Sequence, residues 1–194
     1  MMTSPAELDV VRAARALDRR TVLRLLAAVG AGALLPAGCG GAPSALAPPP
    51  GASLAVLSPR TYAVMTAAAM RLVGPKGAAL VADRTIDVGL LADAWLAGTP
   101  AIAGPIGQAL LLLEFGVWPL VGKLRPFTAL DTASQDAVLR GCMTSRLDTM
   151  RAVFRGVRSL AMVTFYGAPA SRALTGFPGP FGSGTVTIAD AMSD

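Results

Sequence analysis

Between Leu147 and Phe165 the apolar residues recur at the spacing of an α-helix, and no other feature limits the fold of this chain so tightly. Leu147, Met150, Val153, Phe154, Val157, Leu160, Ala161 and Phe165 return every three or four positions. They form one stripe of a helix over about 146–166 that must face a core. The same period recurs upstream. Ser58 followed by Pro59 is a helix start, an N-cap with Pro at the first helical position. Tyr62, Met65, Ala69, Leu72 and Val73 then carry that helix to Gly74-Pro75-Lys76-Gly77, read as a turn. A second helix is expected over about 85–97, with Ile86, Leu90, Ala94 and Trp95 on one face, ending at Gly98-Thr99-Pro100. A third should run from Pro105 to Phe115. It is apolar nearly all round, through Ile106 and Ala109 to Leu113, which marks it as the central, buried helix.

Gly116 to Pro126 reads as a break, with Phe127 packing on the helix beyond it. Thr132-Ala133-Ser134-Gln135 has the spacing of a capping box, ahead of a helix over about 133–145 with Val138, Leu139, Cys142 and Met143 inward. Only Gly184 to Ile188 alternates with period two, and weakly. The expected fold is all-α, a small bundle of about five helices.

Composition is compatible with such a body. Hydrophobic residues make up 53% of the 194 positions, enough to build a core. The apolar runs break at Gly, Pro or charge before the ~18 residues a bilayer span needs. Of the net charge of +5, Arg12, Arg15, Arg19, Arg20 and Arg24 against Glu7, Asp9 and Asp18 place +2 in the first 38 residues. The remaining +3 is too dilute to argue for nucleic acid. There is no histidine, which removes the commonest general base and metal ligand. Two cysteines, Cys39 and Cys142, make neither a metal cage nor a disulfide framework.

The N-terminus reads as an address. Asp18-Arg19-Arg20-Thr21-Val22-Leu23-Arg24 fits the twin-arginine export pattern, with Arg19, Arg20 and Leu23 in the defining places and Asp18 where Ser or Thr is more usual. The apolar segment Leu25 to Leu35 has the length of a signal core and is too short to span a bilayer. Leu35-Pro36-Ala37-Gly38-Cys39 resembles a lipoprotein cleavage box ending in a lipid-modified Cys39. Pro36 departs from that pattern, and a simple signal-peptidase cut near Pro43 or Ala47 stands beside it. An ordinary N-terminal helix would explain the arginines, but not an apolar run that ends in small residues. The expected organisation is a leader over 1–39, a Pro/Gly/Ala-rich tether over 40–57, a helical domain over 58–181 and a tail over 182–194.

Few residues are candidates for chemistry. Glu114 is the acid in a strongly apolar run, either a general base or pairing group or a helix-end carboxylate that meets an arginine or faces solvent. Arg151, Arg155 and Arg158 stand at i, i+4 and i+7 and share a helix face, with Arg140 and Arg146 nearby in sequence. That face suits an acidic partner or anionic lipid headgroups, against the plainer reading of a solvated helix side. Asp83, Asp87 and Asp93 lack the spacing of a paired-carboxylate site. Ser134, Ser145 and Ser159 have no histidine to activate them. No enzyme site is expected.

The downstream half carries an ordered series of motifs. Leu111-Leu112-Leu113-Glu114-Phe115 leads, then Arg125-Pro126-Phe127-Thr128-Ala129-Leu130 and Gln135 to Leu139. Ser145-Arg146-Leu147, Arg151 to Leu160, Phe165-Tyr166-Gly167 and Gly176-Phe177-Pro178-Gly179-Pro180 follow. Over roughly 58–181 this series resembles the small accessory subunit of the gluconate 2-dehydrogenase subunit 3 type. Such a segment is also met fused ahead of flavin-dependent glucose–methanol–choline oxidoreductases. The chain departs from the pattern at Gly141-Cys142, where many relatives carry a larger residue, and near Met150-Arg151, where they have basic pairs.

The resemblance implies a non-catalytic helical partner of a large FAD-bearing dehydrogenase or oxidase, with the flavin on that other chain and no cofactor here. It implies passage through the twin-arginine translocase to the periplasm or the outer face of the cytoplasmic membrane, with Cys39 as a candidate lipid anchor. The candidate interface comprises Glu114, Arg146, Arg151, Arg155, Arg158 and Tyr166. The alternative is a stand-alone envelope lipoprotein, a helical scaffold or ligand-binding module.

Overall fold

The computed structural model describes residues 44–116 and 125–176. The leader with Arg19, Arg20, Leu23 and Cys39, the weak alternation at 184–188 and the tail over 182–194 lie outside the described residues. Within them the fold is an all-α bundle, without β-strand.

Seven α-helices stand among the described residues: α1 Pro59–Leu72, α2 Gly74–Ala82, α3 Val88–Ala97, α4 Pro100–Phe115, α5 Thr132–Thr144, α6 Asp148–Gly167 and the short α7 Arg172–Thr175. The sequence pattern predicts about five. Most of the difference is α2, which begins where a plain turn is expected. Gly74 supplies the turn alone, at φ +76°, a left-handed conformation that suits a residue without Cβ. Pro75 then sits in the first turn of α2, where its missing N–H costs nothing. Gly77 is a packing residue, since a Cβ there would lie 2.9 Å from the ring of Phe165 on α6.

The centre of the bundle is α1, not the leucine-rich α4. Nine consecutive residues of α1, Thr61 to Ala69, are buried, so the helix is enclosed on every side. Ala63, Ala67, Ala68 and Ala69 explain this, because short side chains let α2, α3, α4 and α6 approach the same axis. In α4 the bulky Ile106, Leu110 and Leu113 face inward, while Ala101 and Gly104 look outward. The helix also starts at Pro100 rather than Pro105. Pro105 removes one hydrogen bond, to the carbonyl of Ala101, and both residues lie toward the outside.

The 20-residue α6, about 30 Å long, packs against α1, α3, α4 and α5. Its inward stripe of Met150, Val153, Val157, Leu160 and Phe165 is the one the periodicity predicts. Leu147 is the exception and stands exposed at the turn before α6. Met143, expected inward, is exposed on α5. The N-cap of α5 is Asp131, whose carboxylate accepts the N–H of Ser134 at 2.9 Å. Gln135 does not close a capping box. Its side-chain amide donates instead to the carbonyl of Phe127 at 3.1 Å.

The stretch expected as a loose tether is docked from Ser44 onward. Ser44–Leu46 forms one 3-10 turn, and Leu46 packs against the core. The guanidinium of Arg84 donates to the carbonyl of Ala47 at 2.8 Å. Ala55, Val56 and Leu57 give their backbone N–H groups to one carboxylate, that of Asp93 on α3. Proline content suggests an extended spacer. Partners 36 to 38 residues away hold the segment to the bundle instead.

Candidate functional site

The arginine residues of α6 separate into two kinds. Arg151 is half-buried and spoken for: its guanidinium donates to the carbonyl of Ser145 and pairs with Asp148 one turn earlier. Arg155 and Arg158 are exposed and make no ion pair among the described residues. Tyr166, eleven residues beyond Arg155, falls within about 20° of it around the helix at 100° per residue. Tyr166 is also exposed, its ring edge-on to that of buried Phe165 with centroids 5.1 Å apart. The exposed Arg155, Arg158 and Tyr166 therefore share an outward face about 16 Å long. Arg146 lies apart, exposed in the turn between α5 and α6.

Glu114 is not part of that face. Its side chain is 1% exposed at the end of α4. One carboxylate oxygen accepts the backbone N–H of Thr128 at 3.0 Å, and the other accepts the Thr128 hydroxyl at 2.8 Å. Arg60 of α1 approaches at 3.5 Å while lying over the Phe115 ring. This is a carboxylate tying the 3-10 turn Phe127–Ala129 to the bundle. It presents no surface to a partner.

Three aspartates of the α2–α3 region do separate work. Asp83 accepts the N–H of Thr85 and closes the turn after α2. Asp87 caps α3 through the N–H of Leu90 at 2.9 Å and accepts the hydroxyl of Tyr62 at 2.8 Å. Asp93 is buried and receives three N–H donors, at 2.7 to 2.9 Å. Burial pushes its carboxyl upward, but the three donors outweigh that and hold it below the usual carboxylate range.

Beside Tyr62 lies a cleft of about 100 Å³, lined by Leu46, Thr66, Met70, Val81, Arg84 and Asp87 among others. Tyr62 is fully enclosed because Gly89 on α3 brings its backbone against the ring. Burial first, and then the hydrogen bond to Asp87, push its hydroxyl up to about 12. It is a fixed donor at neutral pH, not a proton shuttle. Arg84, at the rim, holds φ +63°, a left-handed conformation uncommon for a residue with a side chain. The hydrogen bond to Ala47 and the turn after α2 keep it there.

Cys142, Ser134 and Ser145 are held in structural roles. Cys142 is a free thiol with no exposed surface, and burial pushes it up to about 12. The hydroxyl of Ser134 donates to Asp131 within the α5 cap, and that of Ser145 accepts the N–H of Leu147. Among the described residues no cluster of three acidic, Cys or His side chains forms a metal site.

Helix period places Arg155 and Arg158 on one exposed face, but it also puts Arg151 there, which the structure pairs with Asp148. The Asp93 clamp and the Tyr62–Asp87 pair were not legible from that period. Asp87 did carry a signal, an acid directly before a helical run, which marks an N-cap. Nothing local marks Asp93, whose partners precede it by more than 35 residues.

Comparison with protein-family models, with curated proteins and with solved structures finds no match for this chain.

Proposed function

We propose that this chain is a non-catalytic accessory subunit that docks a large FAD-bearing oxidoreductase of the glucose–methanol–choline type and leaves the cytoplasm with it. The observation that carries the docking is the outward face of α6. Arg155 and Arg158 stand there without ion-pair partners among the described residues, beside an exposed tyrosine. Arg and Tyr are enriched where protein surfaces meet, because each joins apolar contact area to a planar polar or hydrogen-bonding tip. The resemblance carried by the ordered motifs from Leu111 to Pro180 supports this class of partner, and the Arg19-Arg20 pattern supports the route. The flavin and the reacting groups belong to the partner.

Co-expression with the neighbouring large reading frame tests this. The expected result is co-purification of both chains with flavin absorbance, weakened at least tenfold by R155E/R158E. Replacing Arg19 and Arg20 with Lys should strand both chains in the cytoplasm. Recovery of the tagged chain alone, with no flavin, defeats the proposal.

A second reading, a stand-alone helical module of the cell envelope, draws on the cleft beside Tyr62. It predicts a soluble body that takes up small apolar molecules and needs no second chain.

A further inference from the structure

The turn between α5 and α6, at the start of α6, combines exposed apolar bulk with unmatched positive charge. Met143 is 48% exposed and Leu147 is 55% exposed, more than any other large apolar side chain among the described residues. Arg140 stands one helical turn before Met143, and Arg146 immediately precedes Leu147; both are exposed. The acids nearby are already matched: Asp148 pairs with Arg151, and Asp136 pairs with Arg71 at 2.9 Å. The positive charge of Arg140 and Arg146 therefore faces outward uncancelled.

We infer that this corner is a contact for anionic lipid headgroups, with Met143 and Leu147 entering the interfacial layer. The two apolar side chains project from a helix turn, and arginines flank them. Guanidinium groups bind phosphate through a planar fork, and their stems tolerate the apolar boundary of a bilayer. A short apolar tip with a basic rim binds a membrane surface by shallow burial plus electrostatic attraction, without spanning it. No helix among the described residues is long and apolar enough to cross a membrane, so the contact is peripheral. An acidic protein is the competing occupant. A stable protein interface calls for a broad, complementary patch of about 800 Å² per partner, more than two side chains at a turn supply. The inference does not depend on the oxidoreductase, since a lipid contact at this turn needs no second chain.

Among the described residues the core is built from positions at or beyond Leu46, and a chain of residues 41–194 keeps all of these without the apolar leader. That chain is sedimented with vesicles of phosphatidylglycerol and phosphatidylcholine, and with vesicles of phosphatidylcholine alone. Binding is expected only to the anionic vesicles and should fall as salt rises. At about one factor of five per charge, R140Q/R146Q lowers the partition coefficient about 30-fold. M143S/L147S lowers it on the order of tenfold. Both pairs are exposed, and unchanged helical circular dichroism checks the fold. The control pair is K76Q/R172Q. Lys76 adjoins Gly77, which packs on Phe165 near the far end of α6, and Arg172 lies beyond that end. It should leave binding within about twofold. Equal binding to both vesicles, or equal loss in the control pair, overturns the inference. So does a corner variant that keeps the vesicles but loses capture of the co-expressed large chain, because the corner is then a protein interface.

Discussion

The buried carboxylate of Asp93 on α3 accepts the backbone N–H of Leu57 at 2.7 Å, and through this bond the segment before α1 is fixed to the bundle. The same carboxylate takes the N–H groups of Val56 and Ala55. One side chain thus satisfies three backbone donors that have no helix to pair with, and it sets where Ser58 begins α1.

Asp93→Asn keeps one oxygen but turns an amine toward a donor, so it should cost about 2 kcal/mol; Asp93→Ala should cost about 3 kcal/mol. Denaturant titration of the 41–194 chain measures both. The folded-state pKa lies below the unfolded value of 3.8. The stabilisation is therefore full above that value and is lost as pH falls through the folded pKa. The gap between wild type and D93N should hold down to pH 3.8 and narrow as pH falls from there toward pH 2. A constant gap across that range would rule out the charge as the cause.

Tyr62 and Gly89 occupy one space: a Cβ on Gly89 would fall 2.3 Å from a ring carbon of Tyr62. The ring is buried and the clash falls on ring carbons rather than on a flexible chain end, so Gly89→Ala should destabilise by about 3 kcal/mol. Adding Tyr62→Phe should give no relief, since ring carbons and not the hydroxyl make the contact. Thermal melts of the two single variants and the double variant decide this.

The hydroxyl of Tyr62 ionises at about 12 in the folded state, against an ordinary 10.0. Its contribution to stability is present below pH 10 and is lost as pH rises through the folded value. Spectrophotometric titration of phenolate should show a component near pH 12 that Y62F lacks. In Y62F at pH 7 the loss of the bond to Asp87 should cost about 1.5 kcal/mol.

Cys142 should resist alkylation in the native chain, because the thiol is buried and raised to about 12. With Cys39 replaced by Ser, labelling by iodoacetamide at pH 8 should appear only when denaturant unfolds α5. Rapid labelling of the native protein would place Cys142 nearer the surface. A bulky replacement such as Cys142→Trp should destabilise strongly, since no space surrounds the thiol.

Glu114→Gln should cost about 1–2 kcal/mol through its lost charge-assisted bonds to Thr128. It should leave capture of the co-expressed chain unchanged, because the side chain is enclosed. A pull-down from a cell that expresses both chains reads this directly.

The helix content of this protein was written in its periodicity. The inward stripe of α6, the start at Pro59 and the break at Gly98-Thr99 follow from local rules, whereas α3 starts at Val88 rather than near 85 and turns Val88, Ala92 and Leu96 inward instead of Leu90 and Ala94. Apolar residues three or four apart must share a face, and Pro and Ser favour a first turn. The exposure of Arg155 and Arg158 follows from the same period, as the side opposite the stripe.

What local rules could not decide was rank and reach. Hydrophobicity points to the leucine-rich α4 as the centre, yet α1 holds it. The position at the crossing of four helices is set by side-chain size rather than by apolar character, and alanine permits the closest approach. Gly74 to Gly77 carries every mark of a turn, and only packing against Phe165 shows that these residues open a helix. Glu114 and Asp93 have ordinary sequence surroundings. Their partners, Thr128 and the segment from Ala55 to Leu57, reach them only after the chain has folded back. Sequence determined the stripes. The tertiary structure decided which carboxylates they enclose, because burial and long-range hydrogen bonds exist only once the helices have met.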